Sequence, residues 1–192
     1  NYRLGLKCLQ VGQTYIHQMG LLMQSRTILE SLAKSTRESV YVGIRKGGVI
    51  MPLDFVEPQR AVRVVSFLGT ALPAHCTAAG KIHLAFEADG GLRQALGERL
   101  ERFTDKTIVE RGTLDEHIGQ IVSTGYAVEK GEFTEEVNSV AVPIRDYTRT
   151  LVGTLAVVGP SQRLTDAVID NDITPSLLRA GDELSRRLGF AA

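Results

Sequence analysis

Apolar positions recur at three- and four-residue steps over the first part of the chain. Leu4, Cys8, Val11, Tyr15 and Met19 form one stripe, and Leu22, Ile28, Leu29 and Leu32 form a second. That spacing predicts helix from residue 4 to about residue 34, with Gly20 as a break between two helices. A terminal helix with its own stripe and little chain before it docks to a partner or links two domains.

Past "STRE" the period drops to two. In "SVYVGIRK", Val40, Val42 and Ile44 alternate with Tyr41, Gly43 and Arg45, the mark of a strand. "KGG" at 46–48 is a turn, "VIMPLDFV" a second strand completing a hairpin, and "AVRVVSFL" at 61–68 a third. "LPAHCTAAGKIHLAF", residues 72–86, then opens a helix at about Thr77. A loop at 88–91 leads to a short helix over 92–100. In "TLDEHIGQIVSTG", Thr113 and Glu116 read as a capping box, Leu114, Ile118, Ile121 and Val122 as one face, and Gly125 as the stop. Strands follow in "YAVE" (126–129), "SVAVPIRD" (139–146) and "LVGTLAVVG" (151–159), with "DYTRT" as a turn. The last of these is apolar enough to be covered on both faces. Thr174 and Pro175 suit the N-cap and first turn of a final helix that buries Leu177, Leu178, Leu184 and Leu188. Strands joined by hairpin-length turns predict an antiparallel sheet and hence an α+β fold.

Composition narrows the job. The 192 residues are 43 % hydrophobic, with 22 basic against 22 acidic side chains. A balanced charge argues against gripping nucleic acid through a basic face. Two cysteines, Cys8 and Cys76, fit a reducing cytoplasm rather than a disulfide framework. No apolar run long enough for a membrane span and no signal peptide are visible, so the expected location is cytoplasmic with no membrane partner.

Several chemistries compete for "LPAHCTAAGK". Cys76 at a helix start would be an activated thiol, yet a nucleophile needs a base facing it, and adjacent side chains such as His75 diverge. His17, His75, His83 and His117 stand in no metal-binding pattern, so no metal is expected, and no cofactor motif is present. Glu129, Glu132, Glu135 and Glu136 could act as paired carboxylates only if two of them faced one cleft; a solvated loop that rims a pocket is the plainer reading. An enzyme using Cys76 or the Glu129 to Glu136 carboxylates is therefore the alternative to a binding domain. The small residues Ala78, Ala79 and Gly80 leave a helix start bare, where free amides and the dipole favour an anion; close packing on a sheet explains them equally well.

"LPAHCTAAGKIHLAF", "GYAVEKGEF", "SVAVPIRD" and "LAVVGPSQRLT", in this order and at these distances, resemble the effector-binding domain of IclR-type bacterial transcription regulators. The family carries "P-x-H-x-T-A-x-G-K", "G-Y-x-x-D-x-E" and "S-V-S-G-P-x-x-R" runs, and the likeness covers about residues 20–190. "YRLGLKCLQVG" resembles the end of the family's DNA-binding wing and its linker helix. The resemblance implies a GAF-like antiparallel sheet at 20–192 and a linker at 1–19 from a winged helix-turn-helix domain preceding Asn1. It implies a non-catalytic sensor, assembled as a homodimer or tetramer, that meets DNA through that preceding domain. Carried over by motif, the ligand-binding positions are Ala78, Ala79, Gly80, Glu129, Val137, Ser139, Ala156 and Val158. Where the family often has serines in its last strand this chain has Ala156 and Val158, and Ser139 stands where a cysteine can occur. Fewer hydroxyls favour a small carboxylic acid with an apolar or aromatic body over one of the glyoxylate kind. "LPA-x-CT" also resembles the branch that senses hydroxybenzoate-type acids.

Overall fold

The computed structural model describes residues 6–88 and 90–191, with side chains from residue 20 onward. α1 (Leu6–Thr36) is one unbroken helix where two were expected. Gly20 lies within it with open space at its Cβ position. One glycine costs a helix only about 1 kcal/mol, which the turns on either side offset. The stripe from Leu4 to Met19, and His17, lie outside the described side chains. Beyond it Leu21, Ile28, Leu29 and Leu32 are buried, while Leu22 is half-buried.

Five of the six expected strands form. β1 (Ser39–Lys46) and β2 (Val49–Val56) make the hairpin, turning at Gly47 with φ 64°. The third expected strand does not exist: residues 61–68 run as irregular chain, and the outer edge of β2 pairs instead with β3 (Leu72–Pro73). Side chains rather than a ladder hold that segment. Ser39 Oγ donates to the Val64 carbonyl at 2.6 Å, and Glu57 accepts from the Ser66 amide and from Arg63.

α2 (Ala78–Phe86) begins where the small residues predicted, with Thr77 as its N-cap. α3 (Gly91–Ala95) is shorter than expected, because the chain beyond it goes extended and bridges Arg99 to Glu110. α4 (Arg111–Thr124) starts two residues before the expected capping box, so Thr113 lies inside its first turn. Arg111 anchors that start by donating to the carbonyls of Arg93 and Leu96. Gly125 ends the helix at φ 82°, as expected, but Val122 is exposed.

β4 (Ala127–Lys130), β5 (Val137–Arg145) and β6 (Leu151–Pro160) follow. Thr165 then caps α5 (Asp166–Val168), a π-helical turn spans Ile169–Ile173, and α6 (Thr174–Arg187) completes the chain. Thr174 is thus an interior helical residue rather than an N-cap. Pro175 explains the π turn: it has no N–H to give and its ring clashes with the carbonyl four residues back. The helix widens, and the Thr174 amide reaches the Ile169 carbonyl. In α6 Leu177 and Leu184 are fully buried, and Leu178 and Leu188 pack at the edge.

The sheet is antiparallel throughout in the order β3-β2-β1-β6-β5-β4. The chain starts at its centre and moves out to β3. It crosses one face through α2 to α4, re-enters at β4, and returns to the centre at β6. Alternation sorts two cores. Val40, Val42, Val140, Val142, Leu155 and Val157 face α1 and α6, whereas Tyr41, Ala141, Ala156 and Val158 face α2 and α4. The second face carries small residues under α2, so that helix lies close to the sheet.

Candidate ligand cavity

Strand register builds the floor of a site on the α2 face. Glu129 on β4 stands opposite Ser139 on β5, Ser139 opposite Val158 on β6, and Val158 opposite Ser39 on β1. This row lies beside the start of α2, whose N-cap Thr77 lines the same cavity. The next row inward, Ala127, Ala141, Ala156 and Tyr41, passes beneath the helix. Over the first row the irregular segment folds back as a flap. Val64 and Phe67 turn inward and pack on the core, while Val62, Val65 and Leu68 remain exposed.

Between flap and sheet lies a cavity of ≈ 280 Å³. Its walls are Tyr41, Val64, Phe67, Leu72, Phe133, Val137 and Val158, and its polar groups are Glu129, Ser139, Thr77, Ser66, Thr70 and Thr134. Phe67 meets Tyr41 edge-on at 5.2 Å and Phe55 at 4.9 Å, so the flap is seated on aromatic rings. A larger groove of ≈ 490 Å³ at the end of α1 is lined by surface charges, Glu30, Lys34, Arg37, Glu57 and Arg60 among them. It lacks the apolar walls with few polar groups that ligand sites favour.

Four of the eight sequence-predicted positions, Glu129, Val137, Ser139 and Val158, line this cavity. Ala78, Ala79, Gly80 and Ala156 do not. Ala156 is covered by α2, and Ala78 and Ala79 are fully buried between that helix and its neighbours. The Gly80 amide is already taken, donating to Thr77 Oγ1 at 3.2 Å, and Thr77 donates in turn to the Pro73 carbonyl at 2.7 Å. The bare helix start therefore serves close packing, and Thr77 is the α2-start residue that reaches the cavity. Tyr41, Phe67, Phe133 and Thr77 are lining residues that the sequence reading missed. Phe67 was hidden because its segment reads as a strand.

Glu129 is the one acid in the lining and is 3 % exposed. Its Oε1 accepts from the amides of Glu132 at 2.6 Å and Phe133 at 3.2 Å, and its Oε2 accepts from Ser139 Oγ at 2.9 Å. Burial pushes its pKa up to about 7, against the opposing pull of these three hydrogen bonds. Glu132, three residues on, turns away to form a buried ion pair with Lys81 of α2 at 2.5 Å. The two buried carboxylates thus face different surroundings, and Glu135 and Glu136 are exposed. Among Glu129, Glu132, Glu135 and Glu136, no pair faces one cleft, as glycoside hydrolysis would require.

The thiol reading fails for a related reason. Cys76 is fully buried, and burial together with the charges of Glu129 and Glu132 pushes its pKa up, which keeps it a thiol. His75 Nε2 lies 2.9 Å from the Glu101 carbonyl. Among the described residues no group of three or more His, Cys, Asp or Glu could hold a metal, and no helix is long and apolar enough to cross a membrane.

His83 is 2 % exposed, and its ring nitrogens make no close hydrogen bond among the described residues; burial with nearby Arg45 lowers its pKa to about 4, against a smaller opposing pull from the Gly43 backbone. The native protein keeps it neutral, whereas the unfolded chain binds a proton near pH 6.5. Stability from this group is therefore full above about pH 6.5 and is lost as pH falls toward 4. We expect the urea-unfolding free energies of the natural chain and of His83→Leu to converge or cross by about 2 kcal/mol between pH 6.5 and 4.5. A constant difference over that range would contradict the neutral, buried ring.

Residues 13–186 match the family model described as bacterial transcriptional regulator IclR C-terminal. The chain is 29 % identical over 192 residues to the HTH-type transcriptional regulator XynR of Escherichia coli, covering all of this chain and 76 % of that one. The crystal structure of the Thermotoga maritima IclR superposes with a TM-score of 0.83 at 26 % identity, over 97 % of this chain and 75 % of that one. The fold is also that of a PobR inducer-binding domain from Acinetobacter, a double mutant in complex with 3-hydroxybenzoic acid (TM-score 0.75, 22 % identity, 84 % of this chain and 95 % of that one). These relatives are transcription regulators rather than enzymes, in agreement with a buried thiol and separated carboxylates. The chain belongs to the IclR family of bacterial transcription regulators and comprises its C-terminal, effector-binding domain.

Proposed function

We propose that this domain senses a small carboxylic acid with an apolar, aromatic body, held in the cavity between the flap and the Glu129–Ser139–Val158 row. The observation that carries this reading is the cavity itself: aromatic and aliphatic walls with a few hydroxyls and one acid at the floor. Its ≈ 280 Å³ sits at the small end of the roughly 300–1,000 Å³ typical of ligand sites, which suits a single ring. The 3-hydroxybenzoic acid bound by the PobR domain has this chemistry. Glu129, Val137, Ser139 and Val158 would touch the ligand directly, and Ala78, Ala79, Gly80 and Ala156 would set the position of α2 beside it.

In this reading residues 1–19 link the domain at 20–192 to a DNA-reading domain, and the whole works in the cytoplasm as a homodimer or tetramer. An effector acts by favouring one arrangement of the assembly and so one spacing of its DNA-reading heads. A ligand that binds only the folded state stabilises it by about 2.7 kcal/mol at a hundred times its Kd. Titrating this chain with benzoate, 3-hydroxybenzoate, phenylacetate and pyruvate should raise its Tm by several degrees for the aromatic acids and less for pyruvate, with Val158→Trp abolishing the shift. No shift with any acid at pH 6 would refute the reading.

A further inference from the structure

A carboxylate entering this cavity meets no cation. Among its described lining residues there is no lysine, arginine or histidine, and Glu129 is the one carboxyl. The groups around Glu129 add no surplus positive charge. Glu132, on the loop after β4, is matched by Lys81 of α2 at 2.5 Å. The Cys76 thiol before α2 and the Tyr41 phenol of β1 are neutral, each with its pKa pushed up by burial and by the Glu129 charge. On β5 the neighbour is the Ser139 hydroxyl. Two carboxylates side by side between Tyr41, Phe67 and Phe133, with no counter-ion, repel each other. Two carboxyls that share one proton do not.

Resting on the acid-ligand reading above, we infer that the ligand's carboxylate binds as a proton-sharing pair with Glu129, which takes up one proton from solvent as the ligand enters. The balance is one protein carboxylate, one ligand carboxylate and one proton giving a single carboxylic acid–carboxylate pair, with no covalent change. The local bonds permit it. Oε1 stays fixed by the Glu132 and Phe133 amides, so the proton goes to Oε2. There it donates to Ser139 Oγ or to the ligand, and Ser139, no longer needed as a donor to Glu129, can turn its own hydrogen to the ligand. Burial already holds Glu129 near neutrality, so the uptake costs little at cellular pH. The domain therefore reads acid concentration and pH together, and its response weakens under alkaline conditions.

Isothermal titration of the 192-residue chain with benzoate and 3-hydroxybenzoate, in phosphate and in Tris, separates proton uptake from binding. The expected uptake is about half a proton per ligand at pH 7 and close to one at pH 8, with affinity falling about tenfold from pH 7.5 to 8.5. Glu129→Gln keeps a donor at this position and removes the titration. It should bind with no uptake, with little pH dependence, and about tenfold more tightly than the natural chain at pH 8. The buffer comparison on the natural chain needs no variant, so it decides the matter even if Glu129→Gln misfolds. Acids that bind without proton uptake would overturn the inference while leaving the acid-ligand reading intact. Benzyl alcohol or benzylamine binding where no acid binds at pH 6 would overturn the acid-ligand reading, and the inference with it.

Discussion

Gly80→Ala is expected to destabilise the domain by more than about 3 kcal/mol, or to prevent its folding. A Cβ at this position would stand 2.3 Å from the Ala74 carbonyl oxygen, 2.4 Å from its Cα and 2.6 Å from its carbonyl carbon. All three are backbone atoms, so no side chain can rotate out of the way. Nor can α2 back off. Its first turn is tied to the preceding chain through Thr77, which accepts from the Gly80 amide and donates to Pro73, and its underside rests on the small residues of β5 and β6. Alanine gains about 1 kcal/mol of helix propensity over glycine, which opposes this effect but does not match it. Gly119 supplies the control. It lies inside α4 with nothing within 4 Å of its Cβ position, so Gly119→Ala should stabilise by about 0.5–1 kcal/mol. Urea unfolding of both variants reads the contrast directly. Similar stabilities for the two would contradict the close approach of α2 to Ala74.

The strands that were legible in the sequence are those whose two faces meet different partners. β1, β5 and β6 alternate between large aliphatic residues toward α1 and α6 and small or aromatic ones toward α2, so period two survives in the sequence. Residues 61–68 carry their apolar side chains for another reason: Val64 and Phe67 pack on the core as cavity walls, Val65 lies at the cavity rim, and Val62 and Leu68 are exposed. Local periodicity cannot distinguish a flap from a strand, because the difference lies in where the backbone bonds go. Here side chains take that place: Ser39 donates to the Val64 carbonyl, Arg163 to the Val62 carbonyl, and Glu57 accepts from the Ser66 amide. The last helix starts earlier than its sequence suggests for a similar reason. Pro175 usually marks a first turn, but a π turn lets it sit inside a longer helical run.

Cavity residues divide in the same way. Glu129, Ser139 and Val158 reached the candidate set through motif order, and cross-strand register supplies the physical reason they share a row. The small residues after Thr77 were visible, but whether they receive a ligand or a neighbouring backbone depends on Ala74, which only the folded chain brings against Gly80. In the sequence Tyr41 is marked only by its alternation with Val40 and Val42. It becomes a cavity wall because both faces of that sheet are covered.

Lys81→Met is expected to cost about 3–5 kcal/mol, and the double variant Lys81→Met/Glu132→Leu to recover most of that loss. Lys81 is fully buried and Glu132 is 7 % exposed, so each ion is stable there only because of the other. Removing the lysine leaves a buried carboxylate whose Oε2 already has no partner among the described residues. Replacing both ions removes the desolvation cost together with the attraction, which is why the double variant should sit near the natural chain. The loop itself keeps other anchors, since Thr107 and Thr104 donate to the Glu132 carbonyl. Chemical unfolding of the two single variants and the double completes the cycle. A loss below about 1 kcal/mol for Lys81→Met would show that water reaches Glu132, and an additive double variant would show that the ions do not act as a pair. The pair also bears on the cavity. Without Lys81 the Glu132 charge is left unbalanced beside Glu129, so any Lys81→Met protein that folds should hold the Glu129 proton to higher pH. The alkaline loss of acid binding should then shift upward, although Lys81 does not line the cavity.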